Sequence, residues 1–330
     1  MTTPLIVAVP SKGRLQENTA AFFARAGLDL IQAGSDRSYR GGIAGLAGVE
    51  IAFRSAAEIA REGAAGAAHI GVTGRDQVEE TVGDWQAKVD LVLPLGFGQC
   101  DVVVAVPQAW IDVADMEDLD DVAAEFRPRH GRRLTVATKY INLTRRFFAG
   151  HGIADYRIVE SLGATEGAPA TGAADLIVDI TTTGATLRAN ALKILADGVI
   201  LQSEAHLVAS LTGNWQAPAR TALRALLDRI EAESAGRKLR AVTADVADSG
   251  RATKEAERFG AVAPFAPVNG RLTLHVPAGA VAPLSEWLRD AAGASTVTVT
   301  KIDTLFSAAS PAYDRLIAKV DRRAAITPAA

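Results

Sequence analysis

The sequence contains little cysteine and little net charge, and both shortages narrow the choice of function. A single cysteine, Cys100, among 330 residues excludes an intramolecular disulfide and a zinc site built from several cysteines. One thiol is also typical of a protein in a reducing compartment, and we interpret Cys100 as a packed residue rather than a nucleophile. The formal net charge of −3 at pH 7 argues against a broad nucleic-acid-binding surface, so we expect no nucleic-acid partner.

Long hydrophobic runs and several common catalytic motifs are also missing. The apolar run from Pro4 to Pro10 is too short to cross a membrane and lacks the basic flank of a signal peptide. We therefore expect a soluble, cytoplasmic protein with no membrane partner. The five histidines show no metal-ligand spacing, and neither Gly-x-Ser-x-Gly nor Gly-x-x-x-x-Gly-Lys-Ser/Thr occurs.

The chain does contain short apolar runs that alternate with helix-length segments, a pattern that predicts parallel strands joined by crossover helices. We predict an α/β fold with two open, mostly parallel sheets around a cleft, where ligands meet the carboxyl ends of strands. Gly96–Cys100 is expected to cross from the first lobe to the second, and the strand Val199–Leu201 to return to the first. The predicted domains are 1–97 with 195–234 for lobe I, 98–194 for lobe II, and 235–330 for a third unit.

The third unit has its own predicted order of elements: strand, helix, two strands, helix, strand. That order is typical of a ferredoxin-like domain. The second strand is placed at Ala263–Pro267 and the third at Leu272–Val276. A small domain of this kind behind an enzyme core is often regulatory, which makes regulation a hypothesis for it.

The stretch from Ala174 to Leu187 is the most informative in the chain. It predicts a buried strand that ends at the carboxylate of Asp179, followed by a Thr/Gly loop that opens a helix. Unpaired backbone N–H groups and the positive end of the helix dipole form an anion site at such a helix start. Threonine hydroxyls add donors, and Gly184 lets the backbone approach a ligand. A sugar phosphate would suit this arrangement, with ribose on Asp179; a plain capped strand–helix turn is the alternative.

Basic side chains follow two other predicted strands. Ser11, Lys12 and Arg14 lie in the turn after the first strand, and Arg54 holds the equivalent position after a later one. Because a planar guanidinium binds phosphate oxygens in pairs, two such strand ends favour a cleft for a polyanion. A solvated basic turn is the alternative. Asp76 follows another strand and is interpreted as a helix cap.

Four stretches together resemble the ATP phosphoribosyltransferase family of histidine biosynthesis. They are Pro10-Ser-Lys-Gly-Arg-Leu15, Leu95-Gly-Phe-Gly-Gln-Cys100, Val136-Ala-Thr-Lys-Tyr-Ile-Asn-Leu-Thr-Arg-Arg146, and Glu166 through Leu187. The last one fits the family pattern at Glu166, Gly172, Asp179, Thr183, Gly184, Thr186 and Leu187. The match covers most of the chain before the third unit, and it implies a two-lobed core like that of periplasmic binding proteins.

The resemblance implies that ATP and 5-phosphoribosyl 1-pyrophosphate combine, with Mg²⁺ as cofactor, to give N1-(5-phosphoribosyl)-ATP and pyrophosphate. Adenine N1 has a free lone pair, so alignment and stabilisation of the departing pyrophosphate should carry catalysis. The implied catalytic residues are Arg14, Arg54 and Asp179. The implied substrate contacts are Lys12, with Arg14 and Arg54, for the pyrophosphate and Thr182, Thr183, Gly184, Ala185 and Thr186 for the 5′-phosphate. Asp175 beside Asp179 is implied for the ribose, and Thr138, Lys139 and Tyr140 for ATP. Ser11 and Glu166 are implied to bind substrate without a particular group. The metal ligands stay open.

Two features depart from the family pattern. The family usually carries an acid before the Ile-Gly segment at 70–71, where this chain has His69. The third unit resembles the histidine-binding regulatory domain of long-form enzymes in length and element order, but its residues match poorly and an expected Pro-Thr segment is missing. The resemblance implies feedback inhibition by histidine and a homo-oligomer, either a dimer or a hexamer. The short form, which needs a separate regulatory subunit, fits badly with the third unit.

Two other functions compete with this interpretation. Another type of phosphoribosyltransferase shares the loop Asp-x-x-x-Thr-Gly-x-Thr, but the Ser-Lys-Gly-Arg and Ala-Thr-Lys-Tyr segments favour the histidine enzyme. A non-catalytic, two-lobed ligand-binding protein is the rival from a different class. Such proteins are usually exported, and the lack of a signal peptide counts against it.

Overall fold

The computed structural model describes residues 3–32 and 40–326, and only the backbone of Ile326. Short strands alternate with helices in its first part, as the hydrophobic pattern predicts. The elements of this part are β1 (Leu5–Pro10), α1 (Gly13–Arg25), β2 (Leu30–Gln32), β3 (Arg40–Ile43), β4 (Leu46–Arg54), α2 (Ala56–Ala65), β5 (Ile70–Gly74), α3 (Arg75–Thr81) and β6 (Val89–Pro94).

A second series of elements follows the crossing segment Leu95–Gln99. It consists of β7 (Cys100–Pro107), α4 (Met116–His130), β8 (Leu134–Thr138), α5 (Ile141–Gly150), β9 (Tyr156–Glu160), β10 (Leu176–Thr181), α6 (Ala185–Ala189) and β11 (Leu192–Ser203). The chain then continues through β12 (Ala205–Ser210) and the long helix α7 (Ala217–Lys238). Within the described residues no helix combines the length and apolarity that crossing a membrane requires.

These strands form two sheets, with the orders β2-β3-β4-β1-β5-β12-β6 and β11-β7-β10-β8-β9. The chain passes from the first sheet to the second between β6 and β7, and back between β11 and β12. Parallel pairs join β1 to β4 and β5 in the first sheet and β8 to β9 and β10 in the second. Parallel pairing thus covers three neighbouring strands in each sheet, and the remaining pairs are antiparallel: β2 with β3, β3 with β4, β12 with β5 and β6, and β7 with β10 and β11. The result is the two-lobed, periplasmic-binding-protein-like α/β core that the sequence predicts.

The return to the first sheet comes later than the sequence suggests. The segment Val199–Leu201 belongs to β11, which pairs antiparallel with β7 in the second sheet. The register of this pair shifts between Ile194 and Val199, and again between Val199 and Leu201. Such irregularities break the alternation of buried and exposed side chains, so the apolar pattern shows only part of the strand. The prediction for Val199–Leu201 is therefore wrong, and β12 is the returning strand.

The third unit contains β13 (Leu239–Asp245), α8 (Ser249–Ala256), β14 (Arg271–Pro277), α9 (Val281–Asp290) and β15 (Val297–Lys301). Its sheet has the antiparallel order β14-β13-β15. The strand predicted at Ala263–Pro267 does not form, and isolated bridges flank the segment, from Val262 to His275 and from Val268 to Arg271. Because Pro264 and Pro267 supply no N–H group, this segment cannot continue a ladder. The unit is thus ferredoxin-like, with its second strand reduced to a bridge.

A C-terminal helix, α10 (Pro311–Ile326), does not pack on the third sheet, although it lies in the range predicted for the third unit. Its residues Ala312, Leu316 and Val320 are buried in the core of the first lobe, with α1 and α7. Ala312, Leu316 and Val320 are spaced four residues apart, which is typical of one face of a helix and is a signal present in the sequence.

In the second lobe, a separate buried cluster packs α4 and α5 against the second sheet.

Candidate active site

The end of β10 and the loop after it line a pocket of about 320 Å³. Of the residues predicted to bind substrate, it brings together Glu166, Asp179, Thr182, Thr183, Ala185 and Thr186. Cys100, Ile180, Thr181 and Leu187 complete the lining. One pocket therefore contains two carboxylates and the segment Thr182–Thr186, called the threonine loop below.

The threonine loop is shaped by its own hydrogen bonds. Gly184 has a φ of 69°, which favours glycine, and its N–H donates to Thr181 Oγ1 over 2.8 Å. The N–H of Ala185 donates to Thr183 Oγ1 over 3.3 Å. Since α6 has only five residues, its dipole contributes less to anion binding than the sequence suggests. The exposed hydroxyls and N–H groups of the loop are its main donors.

Asp179 is the half-buried carboxylate at the floor of this pocket. Burial raises the pKa of Asp179, and the nearby charge of Glu166 adds to that rise. Two contacts lower it: the N–H of Ile180 donates to Asp179 Oδ1 over 2.8 Å, and the ammonium group of Lys139 lies nearby. A hydrogen-bond donor from a ligand would thus stabilise a carboxylate that the protein leaves only partly compensated.

Of the three residues predicted to contact ATP, the structure exposes only Lys139. Thr138 is buried, and its Oγ1 accepts the N–H of Tyr140 over 2.8 Å. The side chain of Tyr140 is 1% exposed and donates from Oη to Asp76 Oδ2 over 2.9 Å. Burial and the neighbouring Asp76 raise the pKa of Tyr140, so its hydroxyl stays protonated. The structure argues against direct contact for the side chains of Thr138 and Tyr140, because both already bind protein groups.

Asp175 also differs from the prediction. It precedes β10 at the end remote from the pocket, where Arg132 donates to both carboxylate oxygens over 2.6 and 2.7 Å. The N–H and the hydroxyl of Thr135 donate to Asp175 Oδ2 as well, over 2.8 and 2.6 Å. Four residues of a strand span about 13 Å, so Asp175 and Asp179 cannot hold the same ribose. The structure therefore argues against the assignment of Asp175 to the ribose.

The predicted cations form a second group at the carboxyl ends of β1 and β4. Pro10 pairs with Arg54 in the sheet, and the N–H of Ser11 donates to the carbonyl of Arg54 over 2.9 Å. Lys12 and Arg14 are exposed in the same turn. The guanidinium of Arg54 donates to Glu62 Oε1 over 2.6 Å and to the carbonyl of Phe53. These two contacts leave three of its five N–H groups for other acceptors.

The crossing segment Leu95–Gln99 links the two groups of residues. On one side Thr182 Oγ1 donates to the carbonyl of Gln99 over 3.3 Å. On the other side, Gly98 lies close to Leu15, which is next to the basic turn: a methyl group added at Gly98 would be 3.7 Å from Leu15 Cδ1. The threonine loop and the cations thus border the same strand crossing, where ligands bind in open α/β sheets.

Two side chains at or near the pocket were not foreseen as parts of the site. Arg188 lies at the threonine loop, since a Cβ at Gly184 would come 2.8 Å from its Nη1. The spacing of four residues on a helix was a usable signal. Cys100 lines the pocket rather than packing in the core, and burial together with Asp76 raises its pKa to about 11. The thiol is therefore neutral near pH 7, in agreement with a non-nucleophilic residue.

His69, which stands where the family usually has an acid, has a structural role. Its ring is 3% exposed, Nδ1 accepts the N–H of Ile6 over 3.1 Å, and Nε2 lies 3.0 Å from the carbonyl of Asn214. These partners assign the proton of the neutral ring to Nε2. His69 thereby ties β1 to the loop before α7, away from the pocket.

Comparison with known proteins shows which family the chain resembles. A family model described as HisG: ATP phosphoribosyltransferase matches residues 55–232. The ATP phosphoribosyltransferase of Rhodopseudomonas palustris (strain BisB18) is 54% identical over 320 residues, which cover 96% of this chain and 98% of that protein. The one from Bradyrhizobium diazoefficiens (strain JCM 10833 / BCRC 13528 / IAM 13628 / NBRC 14792 / USDA 110) is 54% identical over 326 residues, covering 98% of this chain and 100% of that protein.

Among solved structures, the ATP phosphoribosyl transferase (HisG:HisZ) complex from Thermotoga maritima has a similar fold. The TM-score is 0.53 at 24% sequence identity, and the match covers 69% of this chain and 96% of that chain. The family match extends over more than half of the chain, and the curated relatives match nearly all of it. The chain therefore belongs to the ATP phosphoribosyltransferase family.

Proposed function

We propose that this chain joins ATP, through adenine N1, to 5-phosphoribosyl 1-pyrophosphate, the first step of histidine biosynthesis. The products are N1-(5-phosphoribosyl)-ATP and pyrophosphate. The observation that carries the proposal is the pocket in which Asp179 and Glu166 share space with the exposed hydroxyls of the threonine loop. Such a pocket offers donors to a phosphate and acceptors to ribose hydroxyls. Membership of the family supports the choice of reaction.

In the proposed reaction the N1 lone pair forms a bond to the anomeric carbon while the bond from that carbon to the pyrophosphate oxygen breaks. The threonine loop binds the 5′-phosphate, and Asp179 accepts hydrogen bonds from the ribose hydroxyls. A carboxylate beside the ring also favours the positive charge that develops there as the leaving group departs. In the proposal Glu166, which lines the same pocket, contacts the same sugar, and the exposed Lys139 contacts the ATP side.

The leaving pyrophosphate is assigned to the first lobe. Lys12, Arg14 and Arg54, with Ser11 in the same turn, meet at the carboxyl ends of β1 and β4. Fixed cations there stabilise the charge that grows on the leaving oxygens, which lowers the barrier without a proton transfer. Arg14 and Arg54 carry most of this effect in the proposal, because a guanidinium binds two phosphate oxygens at once.

Mg²⁺ fits this site as an ion that arrives with the substrate. Among residues 3–32 and 40–326 no group of three or more His, Cys, Asp or Glu side chains is placed to hold a metal ion. The pocket does offer two carboxylates, Glu166 and Asp179, which suit a hard cation whose other ligands are phosphate oxygens and water. When bound, Mg²⁺ would neutralise part of the pyrophosphate charge.

Further parts of the proposal concern organisation and regulation. We assign β1–β6, β12, α7 and α10 to lobe I, β7–β11 to lobe II and residues 239–301 to a third domain, in line with the sheets they join. We also propose a cytoplasmic homo-oligomer, a dimer or hexamer, that histidine inhibits through the third domain. Mass photometry and initial rates, each with and without histidine, test both points; unchanged rates would remove histidine as inhibitor.

Mass spectrometry tests the reaction itself. Purified protein is incubated with ATP, 5-phosphoribosyl 1-pyrophosphate, Mg²⁺ and a pyrophosphatase that pulls the reaction forward. We expect a phosphoribosyl-ATP adduct that disappears when either substrate is omitted. Folded protein that binds the sugar phosphate but forms no adduct would instead support the ligand-binding rival.

A further inference from the structure

The helix α3 contains two carboxylates that are almost fully buried. Asp76 is 6% exposed and Glu80 is 9% exposed, and both lie on a helix that follows β5 of the first sheet. Burying a carboxylate is costly unless hydrogen bonds compensate for the lost water. The partners that compensate these two groups come largely from the second lobe.

Asp76 accepts three side-chain hydrogen bonds. Tyr140 Oη donates to Oδ2 over 2.9 Å, Ser203 Oγ donates to Oδ1 over 2.8 Å, and Gln77 Nε2 donates to Oδ2 over 2.7 Å. Tyr140 immediately precedes α5, and Ser203 ends β11, so two of the three donors belong to the second lobe. This carboxylate therefore connects the two lobes.

Glu80 makes the second connection, to the first turn of α5. Its carboxylate accepts the N–H of Asn142 over 3.0 Å and the N–H of Leu143 over 2.9 Å. The N-cap residue Tyr140 makes no side-chain cap bond, so Glu80 supplies the cap from the other lobe. Asn142 Nδ2 returns a bond of 2.8 Å to the carbonyl of Glu80. Burial raises the pKa of Glu80, and the helix N–H groups oppose that rise.

Lys139 directly precedes the residues held by these two carboxylates. It is exposed, its Nζ lies 5.1 Å from the centroid of the Tyr140 ring, and its charge acts on both Asp179 and Cys100 of the pocket. Lys139 and Asp179 both lie on the second lobe, so a movement of α5 against α3 would move them together with respect to the first lobe. The same movement would change the distance between the threonine loop and the cations of the first lobe.

We propose that Asp76 and Glu80 are positioning residues that set the separation of the two lobes for a substrate that bridges them. The group formed by Asp76 and Glu80 with Tyr140, Asn142 and Leu143 is called the clasp. The inference rests on the proposed function, in which the 5′-phosphate binds one lobe and the pyrophosphate the other. The clasp residues themselves do not contact substrate. Their effect is confined to ligands that need both lobes at a fixed distance.

The test compares a ligand of one lobe with a ligand of both. Tyr140→Phe removes the hydroxyl that links Asp76 to the second lobe, and Tyr156→Phe removes a hydroxyl from β9 of the same lobe as a control. Ribose 5-phosphate requires only the threonine loop, whereas 5-phosphoribosyl 1-pyrophosphate spans the cleft. We expect Tyr140→Phe to lower kcat/KM for the spanning substrate about tenfold, the usual effect of a lost hydrogen bond to a charged group. Calorimetric affinity for ribose 5-phosphate should stay within about twofold.

Two results would contradict the proposed role of the clasp. One is an unchanged kcat/KM in Tyr140→Phe; the other is an equal loss of affinity for both ligands, which would indicate local damage to the second lobe. Ser203→Ala removes the other inter-lobe donor to Asp76 and serves if Tyr140→Phe does not fold. Amide hydrogen exchange gives a readout without substrate: the N–H groups of Asn142 and Leu143 should exchange faster in Asp76→Asn, while those of β10 do not change. If the wild-type protein forms no adduct, the proposed function is refuted. The exchange experiment needs no substrate, so it would still show whether the clasp couples the two lobes.

Discussion

Asp175 and Asp179 lie at the two ends of β10, yet the protein treats them in opposite ways. At the remote end, Arg132 and Thr135 surround Asp175 with four donors, and its side chain is 13% exposed. At the pocket end, Asp179 receives one backbone N–H and otherwise faces a cavity. The remote carboxylate stabilises the sheet, while the pocket carboxylate stays available for a ligand. A charged group that the protein has not fully paired is thus the better candidate for function.

The same contrast separates the cations of the first lobe. Arg54 donates to Glu62 and to the carbonyl of Phe53, whereas Arg14 is exposed in the basic turn. By the same reasoning as for the two aspartates of β10, Arg14 has more of its guanidinium available to a ligand than Arg54 has. Its removal should produce the largest single effect on the reaction.

We expect Arg14→Ala to lower kcat by about 10²–10³, the range seen when one group that stabilises transition-state charge is removed. Arg61→Ala is the matched control, because Arg61 is an exposed arginine on α2 of the same lobe. Steady-state rates with 5-phosphoribosyl 1-pyrophosphate as the varied substrate measure the effect. A change confined to KM would assign Arg14 to ground-state binding and contradict a role in the transition state.

Replacing each aspartate of β10 by asparagine tests the contrast directly. Asp179→Asn should lower kcat/KM by about tenfold to a hundredfold, because the ribose loses a charged acceptor and the ring loses a nearby negative charge. Stability should not fall: burial raises the pKa of Asp179, so its ionised form is a cost to the native state near neutral pH. Urea unfolding and enzyme kinetics on the same protein preparations give both numbers. A loss of stability larger than that of Asp175→Asn would reverse the assignment.

The threonine loop was predictable because its parts are contiguous. A strand, an acid at its end, threonines and a glycine follow one another from Ala174 to Leu187, and local rules suffice to place them in one pocket. Key partners of Asp76 and Asp175 are distant in sequence: Tyr140 is 64 positions after Asp76, and Asp175 is 43 positions after Arg132. No local sequence pattern shows such pairs. The carboxylates of Asp76 and Asp175 therefore look free to bind a ligand when only the sequence is considered, although in the fold they already accept hydrogen bonds from protein groups.

Irregular pairing limited the prediction of the fold in a similar way. The two register shifts of β11 and the prolines after Val262 interrupt the alternation from which strands are recognised. The apolar face of α10 was visible, but its partner in the first lobe is remote in sequence. Element types follow from local chemistry, while their assignment to one lobe or another depends on contacts that only the folded chain makes.

Asp175→Asn should reduce stability by about 1–3 kcal/mol and leave kcat/KM within about twofold, the reverse of Asp179→Asn. Burial alone would raise the pKa of Asp175, but the bonds from Arg132 and Thr135 outweigh it and lower the pKa. A carboxyl group with a lowered folded-state pKa contributes stability above its unfolded value, near 3.8, and loses it as the pH falls through the folded-state value. Urea unfolding of the wild type and the variant should therefore converge in acid. If the plots of unfolding free energy against pH for the wild type and the variant stayed parallel, the ionised Asp175 with its partners would contribute no pH-dependent stability.

His69 extends the comparison to a group whose charged form the fold disfavours. Its replacement should have the smallest effect of the replacements predicted. Burial lowers the pKa of His69, and Nδ1 already accepts the N–H of Ile6, so a proton there would break that bond. Because the unfolded chain binds this proton near pH 6.5 and the folded chain binds it only at lower pH, stability should be complete above pH 6.5. It should fall by up to about 1.4 kcal/mol for each pH unit below it. Urea unfolding at about pH 7.5 and about pH 5.5 should show this loss in the wild type and a smaller one in His69→Gln, whose amide oxygen can accept the same N–H at both values. The exposed His151 provides the control, since His151→Gln should keep the wild-type pH dependence; an equal loss in His69→Gln would assign the acid sensitivity to other groups.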